Sequence, residues 1–203
     1  AVDVEASASG ATSGELKAQA RVALPGAAVT LPGSEALSSL DLSRSTVQAR
    51  VDRSGVLAEA KLFLGGLASA EGRVQLPRWS PAVADLSRQA LTGRLQARVP
   101  DLSWVRAFAP DLGAVEGRLA LDASVAGTVG APRLNVQGGL DGGRVEVPMA
   151  GLDVRDLRLG VRSQGADRLV YDGGARSGDG ELKVSGATRI DPARGFPTEV
   201  RVT

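Results

Sequence analysis

One stretch of the sequence, residues 113–127, constrains the fold more than any other. Every second position there carries an apolar or small residue without a break, and the positions between are mostly polar or charged; the alternating set is Val115, Gly117, Leu119, Leu121, Ala123 and Val125. Successive side chains of a β-strand point to opposite faces of a sheet. The stretch therefore predicts a long strand with one apolar face and one polar face.

The same period-two pattern recurs along most of the chain. Short Gly-containing turns separate the alternating segments, which predicts roughly a dozen strands. We expect residues 1–203 to form a single all-β domain. The chain begins at Ala1 and ends at Thr203 within an alternating run, and we expect it to be an excised segment of a larger, elongated protein.

Short helices are expected between some strands. Three residues have side chains that favour the N-cap position of a helix, namely Ser34, Ser80 and Asp101. Pro81 follows Ser80 and suits the first helical position. The expected fold class is a long, curled, mainly antiparallel sheet, an open trough with an apolar inner face and two or three short helices. A closed, filled sandwich is the alternative.

Changes of phase in the alternation predict local irregularities. The apolar positions change from even to odd across Asp141–Gly143, which predicts a hairpin turn. They change again near Arg155–Asp156, which predicts a bulge or bend. Asp172–Gly174 and Asp179–Gly180 predict solvated turns, with a calcium site as the weaker alternative.

The composition excludes several classes of function. The chain has no Cys and no His, which rules out zinc sites, thiol nucleophiles, disulfides and imidazole catalysis. Phosphate-loop and nucleophile-elbow motifs do not occur. The net charge of +1 from interspersed residues disfavours a nucleic-acid partner. We therefore expect no enzyme activity, no cofactor and no metal, and we interpret Asp153, Arg155 and Asp156 as surface charges.

The apolar face is the remaining candidate for function. Aromatic residues are only 3% of the chain, so Ala, Val, Leu and Gly line this face, and an uncovered apolar face marks an interaction site. The predicted groove-lining residues are Leu91, Leu95, Val99, Val115, Leu119, Leu121, Val125, Leu134, Val136, Val145, Val147, Leu157, Leu159, Val161, Leu169, Leu182 and Val184.

A series of Gly-, Pro- and Leu-containing motifs lies between residues 91 and 190. They are LTGRL at 91–95, GRL at 117–119, GTVGAPRL at 127–134, LDGG at 140–143, GLDVRDL at 151–157 and GDGELKVSG at 178–186. In order and spacing these motifs resemble the TamB family, within the wider AsmA-like group. The resemblance is looser over residues 1–90 and rests on structural rather than catalytic positions.

The resemblance implies a β-taco, a long curved sheet with a hydrophobic inner surface. It further implies a parent protein anchored in the inner membrane and spanning the periplasm of a Gram-negative bacterium, with a TamA-like Omp85 outer-membrane protein as partner. The resemblance implies two possible functions. The first is anterograde transport of phospholipid between the inner and outer membranes, with acyl chains in the groove. The second is chaperoning of unfolded strands of outer-membrane proteins and autotransporters by β-augmentation. A structural adhesin stalk is a third, less favoured reading.

Overall fold

The computed structural model describes residues 3–11, 15–25, 28–29, 40–78, 86–190 and 196–203. The strands are β1 (Asp3–Ala11), β2 (Glu15–Ala23), β3 (Ala28–Val29), β4 (Leu40–Asp41), β5 (Thr46–Asp52), β6 (Gly55–Leu64), β7 (Ala68–Pro77), β8 (Thr92–Val99), β9 (Val115–Thr128), β10 (Ala131–Val147), β11 (Leu152–Ser163), β12 (Arg168–Ser177), β13 (Gly180–Arg189) and β14 (Thr198–Val202).

Twelve of these strands form one antiparallel sheet. Their order is β1-β2-β5-β6-β7-β8-β9-β10-β11-β12-β13-β14, while β3 and β4 pair separately. Each strand thus lies beside the next large strand in the sequence, and β1 and β14 are the two edges of an open sheet. The prediction of an all-β, mainly antiparallel fold is confirmed.

The strand register places the alternating residues of all twelve strands in common rows. Leu119 of β9 lies opposite Val99 on one side and Leu140 on the other, and Leu140 lies opposite Leu159. Because directly opposed residues share a face, we call the face that carries Leu119 the apolar face. The face that carries Arg118 is the polar face.

The sheet is a single layer over most of its area. The chain exposes 13235 Å² of surface, whereas a compact monomer of this mass exposes about 8,900 Å². Val115 and Ala175 are the buried hydrophobic residues of the described parts, each with 6% of its surface exposed. The described strands therefore do not form the closed sandwich that was the alternative.

The short helices are 3₁₀ turns. Among the described residues they span Leu86–Arg88, Ser103–Ala107 and Pro148–Ala150, and the second of them is the short helix predicted after Asp101. At the second turn, Asp101 accepts hydrogen bonds from the backbone N–H and the hydroxyl of Ser103 at 2.9 and 2.7 Å. These bonds lower the pKa of Asp101. Ser34, Ser80 and Pro81 lie outside the described residues.

Asp141–Gly143 is a β-bulge, and the predicted hairpin at this place is wrong. β10 continues through these residues, the register shifts between Asp141 and Arg144, and Gly142 adopts a left-handed φ of 60°. A bulge adds a residue to one strand and so changes the parity of its alternation. The change of phase therefore keeps the apolar residues on one face instead of marking a chain reversal.

A second bulge lies beside the first one. The register of β11 with β12 shifts between Arg155 and Arg158, and Asp156 has a φ of 54°, which confirms the predicted irregularity. Gly143 lies opposite Leu157, so the two bulges are neighbours. Together with Gly117, whose φ is 138°, they form a line across β9, β10 and β11. Bulges bend a strand and increase its twist, so the sheet bends along this line.

The two predicted glycine turns have different outcomes. Gly178 and Asp179 form the tight turn between β12 and β13, as predicted. Asp172–Gly174 instead lies within β12, where Asp172 forms an ion pair with Arg162 of β11 at 2.7 Å. A carboxylate next to two glycines is here a cross-strand partner rather than a turn residue.

Candidate functional site: the apolar face

The structure brings the predicted lining residues together on one face. Sixteen of the seventeen lie in strands, and the strand registers place all sixteen on the same face of the sheet as Leu119. Leu91 precedes β8, and its N–H donates to the carbonyl of Gly127 at 2.9 Å. Four leucines are exposed, Val115 is buried, and the others are half-buried; the exposed fractions are 42% for Leu95, 37% for Leu119, 41% for Leu159 and 41% for Leu182.

The rows that cross this face carry no charged side chain from β8 to β14. One row consists of Val99, Leu119, Leu140, Leu159, Gly173, Val184 and Val202. The next consists of Ala97, Leu121, Gly138, Val161, Tyr171, Gly186 and Val200. The face is therefore a continuous apolar surface that runs across the strands, lined mainly by small and branched aliphatic residues.

The face extends further towards β1 than the predicted lining set does. Val47 of β5, Leu62 of β6 and Val74 of β7 belong to the same rows and are exposed. Val74 lies opposite Gly93, which in turn lies opposite Val125 of β9. These three residues could have been predicted from the period-two alternation of apolar residues in the first half of the chain.

Ion pairs between neighbouring strands organise the polar face. Arg98 binds Asp122 at 2.9 Å, and Arg118 binds Asp141 at 3.3 Å. Arg162 and Asp172 continue the pattern in the next strand pair. Each exposed pair contributes little stability, about 0.2–1 kcal/mol. Their joint effect is to keep this face hydrated and close to electrically neutral.

The densest charge cluster lies beside the line of bulges. Asp153 accepts hydrogen bonds from Arg144, with Nε at 3.0 Å and Nη2 at 3.1 Å, and from Nε of Arg155 at 2.7 Å. The bonds from the Arg144 guanidinium, followed by those from Arg155, hold the pKa of Asp153 far below its usual range. Asp153 is therefore an ionised carboxylate at neutral pH, and it links β10 to β11.

The Asp153 cluster makes a testable prediction about acid stability. We expect Asp153→Asn to lower the melting temperature at pH 7, because both arginines lose an ionic partner. The pKa of an unfolded aspartate is about 3.9 and that of folded Asp153 is lower, so its stabilisation is present above pH ~4 and is lost as the pH falls towards the folded value. The melting-temperature difference between wild type and variant should be constant from pH 7 to 5 and narrow below pH ~4.

The control for this prediction is Asp179→Asn, in the exposed turn between β12 and β13. It removes the same charge without the two guanidinium contacts. An equal response of the two variants to pH would show that the cluster contributes nothing specific.

Two shallow depressions lie on the polar face. One, of about 350 Å³, is bordered by Glu5, Arg21, Arg50 and Glu59. The other, of about 380 Å³, is bordered by Arg158, Arg176, Glu181 and Lys183. Both are spaces between long side chains of opposite charge. Neither has the apolar lining with a few placed polar groups that typifies a small-molecule site.

The fold and the site define this chain as an open, single-layer antiparallel sheet protein with one apolar face. Comparison with protein-family models, with curated proteins and with solved structures gives no match. The resemblance to the TamB family therefore stays a prediction. Among the described residues, none belongs to a helix with the length and apolar character needed to cross a membrane.

Proposed function

We propose that this chain is a non-catalytic segment of an envelope-spanning, TamB-like protein that carries phospholipid from the inner to the outer membrane through the periplasm. The observation that supports the proposal most is the apolar face, whose uncharged rows cross seven successive strands from β8 to β14. An apolar surface of this extent needs an apolar occupant. In this proposal the occupant is the acyl chains of a phospholipid.

The chemistry of the lining favours a mobile occupant over a fixed ligand. Apolar contact contributes about 25 cal/mol per Å² and has no preferred direction. Ala, Val, Leu and Gly repeat along the rows, so an acyl chain meets a similar surface at each strand. The charged rows lie on the opposite face, and the lipid head group stays at the strand ends, where the apolar rows meet water. A TamA-like Omp85 protein is the expected outer-membrane partner.

A second candidate function rests on the open edges of the sheet. β14 has a hydrogen-bonded neighbour on one side only, and Val200 and Val202 are exposed. An unpaired edge can accept an extended peptide as an additional strand. In this candidate function the client is an unfolded strand of an outer-membrane protein. The adhesin stalk has less support, because it needs a filled core.

Photo-crosslinking in cells that make the parent protein tests the first function. A photoreactive residue at Leu119 is expected to become attached to phospholipid, whereas the same residue at Arg118, on the polar face of the same strand, is expected not to be. Adducts with outer-membrane polypeptides alone would support the chaperone function. The absence of adducts from both positions would contradict an occupied apolar face.

A further inference from the structure

The connection between β8 and β9, residues 100–114, packs on the apolar face. Its 3₁₀ turn, Ser103–Ala107, contacts β9. The N–H of Leu102 donates to the carbonyl of Gly117 at 3.0 Å. This bond attaches the connection to the first residues of β9, directly at the line of bulges.

The side chain of Leu102 lies over the apolar rows. A Cβ placed on Gly117 would lie 3.1 Å from Cδ1 of Leu140 and 3.4 Å from Cδ1 of Leu102. Both methyl groups therefore reach the same point above Gly117, and Leu140 belongs to the apolar row of Leu119. Leu102 therefore packs at ordinary contact distance over Gly117, beside Leu140.

Burial changes along β9 as this contact predicts. Val115, at the end of β9 next to the connection, is 6% exposed, whereas Leu119, two rows further on, is 37% exposed. Both residues lie on the same face of the strand. The connection accordingly covers one end of an apolar surface that is open beyond it.

The two aromatic residues of the connection leave one hydrogen-bond donor unpaired and one ring largely exposed. Trp104 and Phe108 make an edge-to-face contact with ring centroids 5.9 Å apart. The Nε1–H of Trp104 is buried and has no hydrogen-bond acceptor among the described residues, while Phe108 is 54% exposed. A buried donor without an acceptor favours conformations in which it can find one.

We propose that residues 101–112 are a lid that covers the apolar face at β9 and β10 and is displaced when an acyl chain moves from the open Leu119 row onto the covered surface at Gly117 and Val115. The proposal rests on the function proposed above and adds a control step to it. Leu102 occupies in the closed state the surface over Gly117 and Leu140 that a lipid chain would occupy in the open state. Displacement also frees the Trp104 N–H to bond to water or to an oxygen of the lipid.

The first test needs no lipid. The chain contains no cysteine, so Leu140→Cys and Leu134→Cys each introduce a unique thiol in β10, the first under the lid and the second at the far end of the strand. We expect Trp104→Ala with Phe108→Ala to increase the rate of maleimide labelling at position 140 and to leave the rate at position 134 unchanged. Equal responses at the two positions, or no response at either, would overturn the lid.

The second test fixes the lid in place. In the full chain, Leu102→Cys and Leu140→Cys are joined with a short bis-maleimide, and a photoreactive residue at Val115, under the lid, or at Leu182, outside it, reports contact with phosphatidylethanolamine–phosphatidylglycerol vesicles. We expect cross-linking to abolish lipid labelling from Val115 and to leave labelling from Leu182 intact. Equal labelling from Val115 with and without the cross-link would contradict the lid.

The two tests separate the lid from the proposed function. If the maleimide rates respond as expected but neither Val115 nor Leu182 labels lipid in any sample, the lid stands and lipid transport fails. If both positions label lipid regardless of the cross-link, the apolar face binds lipid and the lid fails.

Discussion

Leu119→Arg is expected to abolish lipid contact at the centre of the apolar face while the chain stays folded. Placing an arginine in an apolar medium costs about 2.5–3.5 kcal/mol, which corresponds to roughly a 100-fold loss of occupancy by an acyl chain. The fold is expected to lose only about 1 kcal/mol, because Leu119 is already 37% exposed and a long arginine can extend its head group into water. Lipid labelling from Val125, together with a urea titration, measures both effects.

The matched control is Ala120→Arg. Ala120 is the next residue in β9 and lies exposed on the polar face, so it receives the same side chain in the same strand. Lipid labelling is expected to be unchanged in this variant. If Leu119→Arg instead unfolds the chain and Ala120→Arg does not, the face is covered in solution, and the groove would have to be abandoned in favour of a filled core.

Gly143→Ala is expected to lower the free energy of unfolding markedly although it adds only one methyl group. A Cβ on Gly143 would lie 2.8 Å from Cβ of Leu157 and 2.9 Å from its carbonyl oxygen. Neither atom belongs to a flexible chain end, so the backbone of the bulge must move. Overpacking of this kind costs about 1–3 kcal/mol, and the midpoint of urea unfolding should fall accordingly.

The comparison variant is Gly72→Ala, on the apolar face of β7. Its added Cβ would have an ordinary contact with Cδ1 of Leu95 at 3.6 Å. Because alanine restricts the unfolded chain more than glycine does, this change should be neutral or stabilise by up to about 1 kcal/mol. Similar losses in the two variants would show that the line of bulges is no more tightly packed than the flat part of the sheet.

The bulges connect the stability of the sheet with its proposed function. Val115, Gly143 and Ala175 are buried near them, and the Asp153 cluster links the same part of β10 and β11. The lid is attached at Gly117 in the same region. The two buried hydrophobic residues of the described sheet, Val115 and Ala175, thus lie at one end of the strands, and the apolar rows beyond them are left open.

The residues of the apolar face could be predicted from the sequence because strand geometry is local. Side chains alternate with a period of two wherever a strand forms, so Leu119 and Leu121 had to share a face. Short turns between successive strands make neighbours in sequence neighbours in the sheet, which is the order observed. The same alternation of side chains explains why Val47 and Val74 also lie on the apolar face.

Two features were decided by tertiary structure alone. One is whether a change of phase in the alternation is a hairpin or a bulge, and the other is which segment of the chain packs on the apolar face. At Asp141–Gly143 a hairpin and a bulge produce the same change of parity, and only pairing with Glu116 and Arg118 across the strand selects the bulge. The position of Leu102 over Gly117 depends likewise on contacts between residues distant in sequence. Periodicity determined which face of each strand is apolar, because that depends on the backbone of one strand. Long-range packing decided which part of that face is covered, because covering needs a second segment of chain.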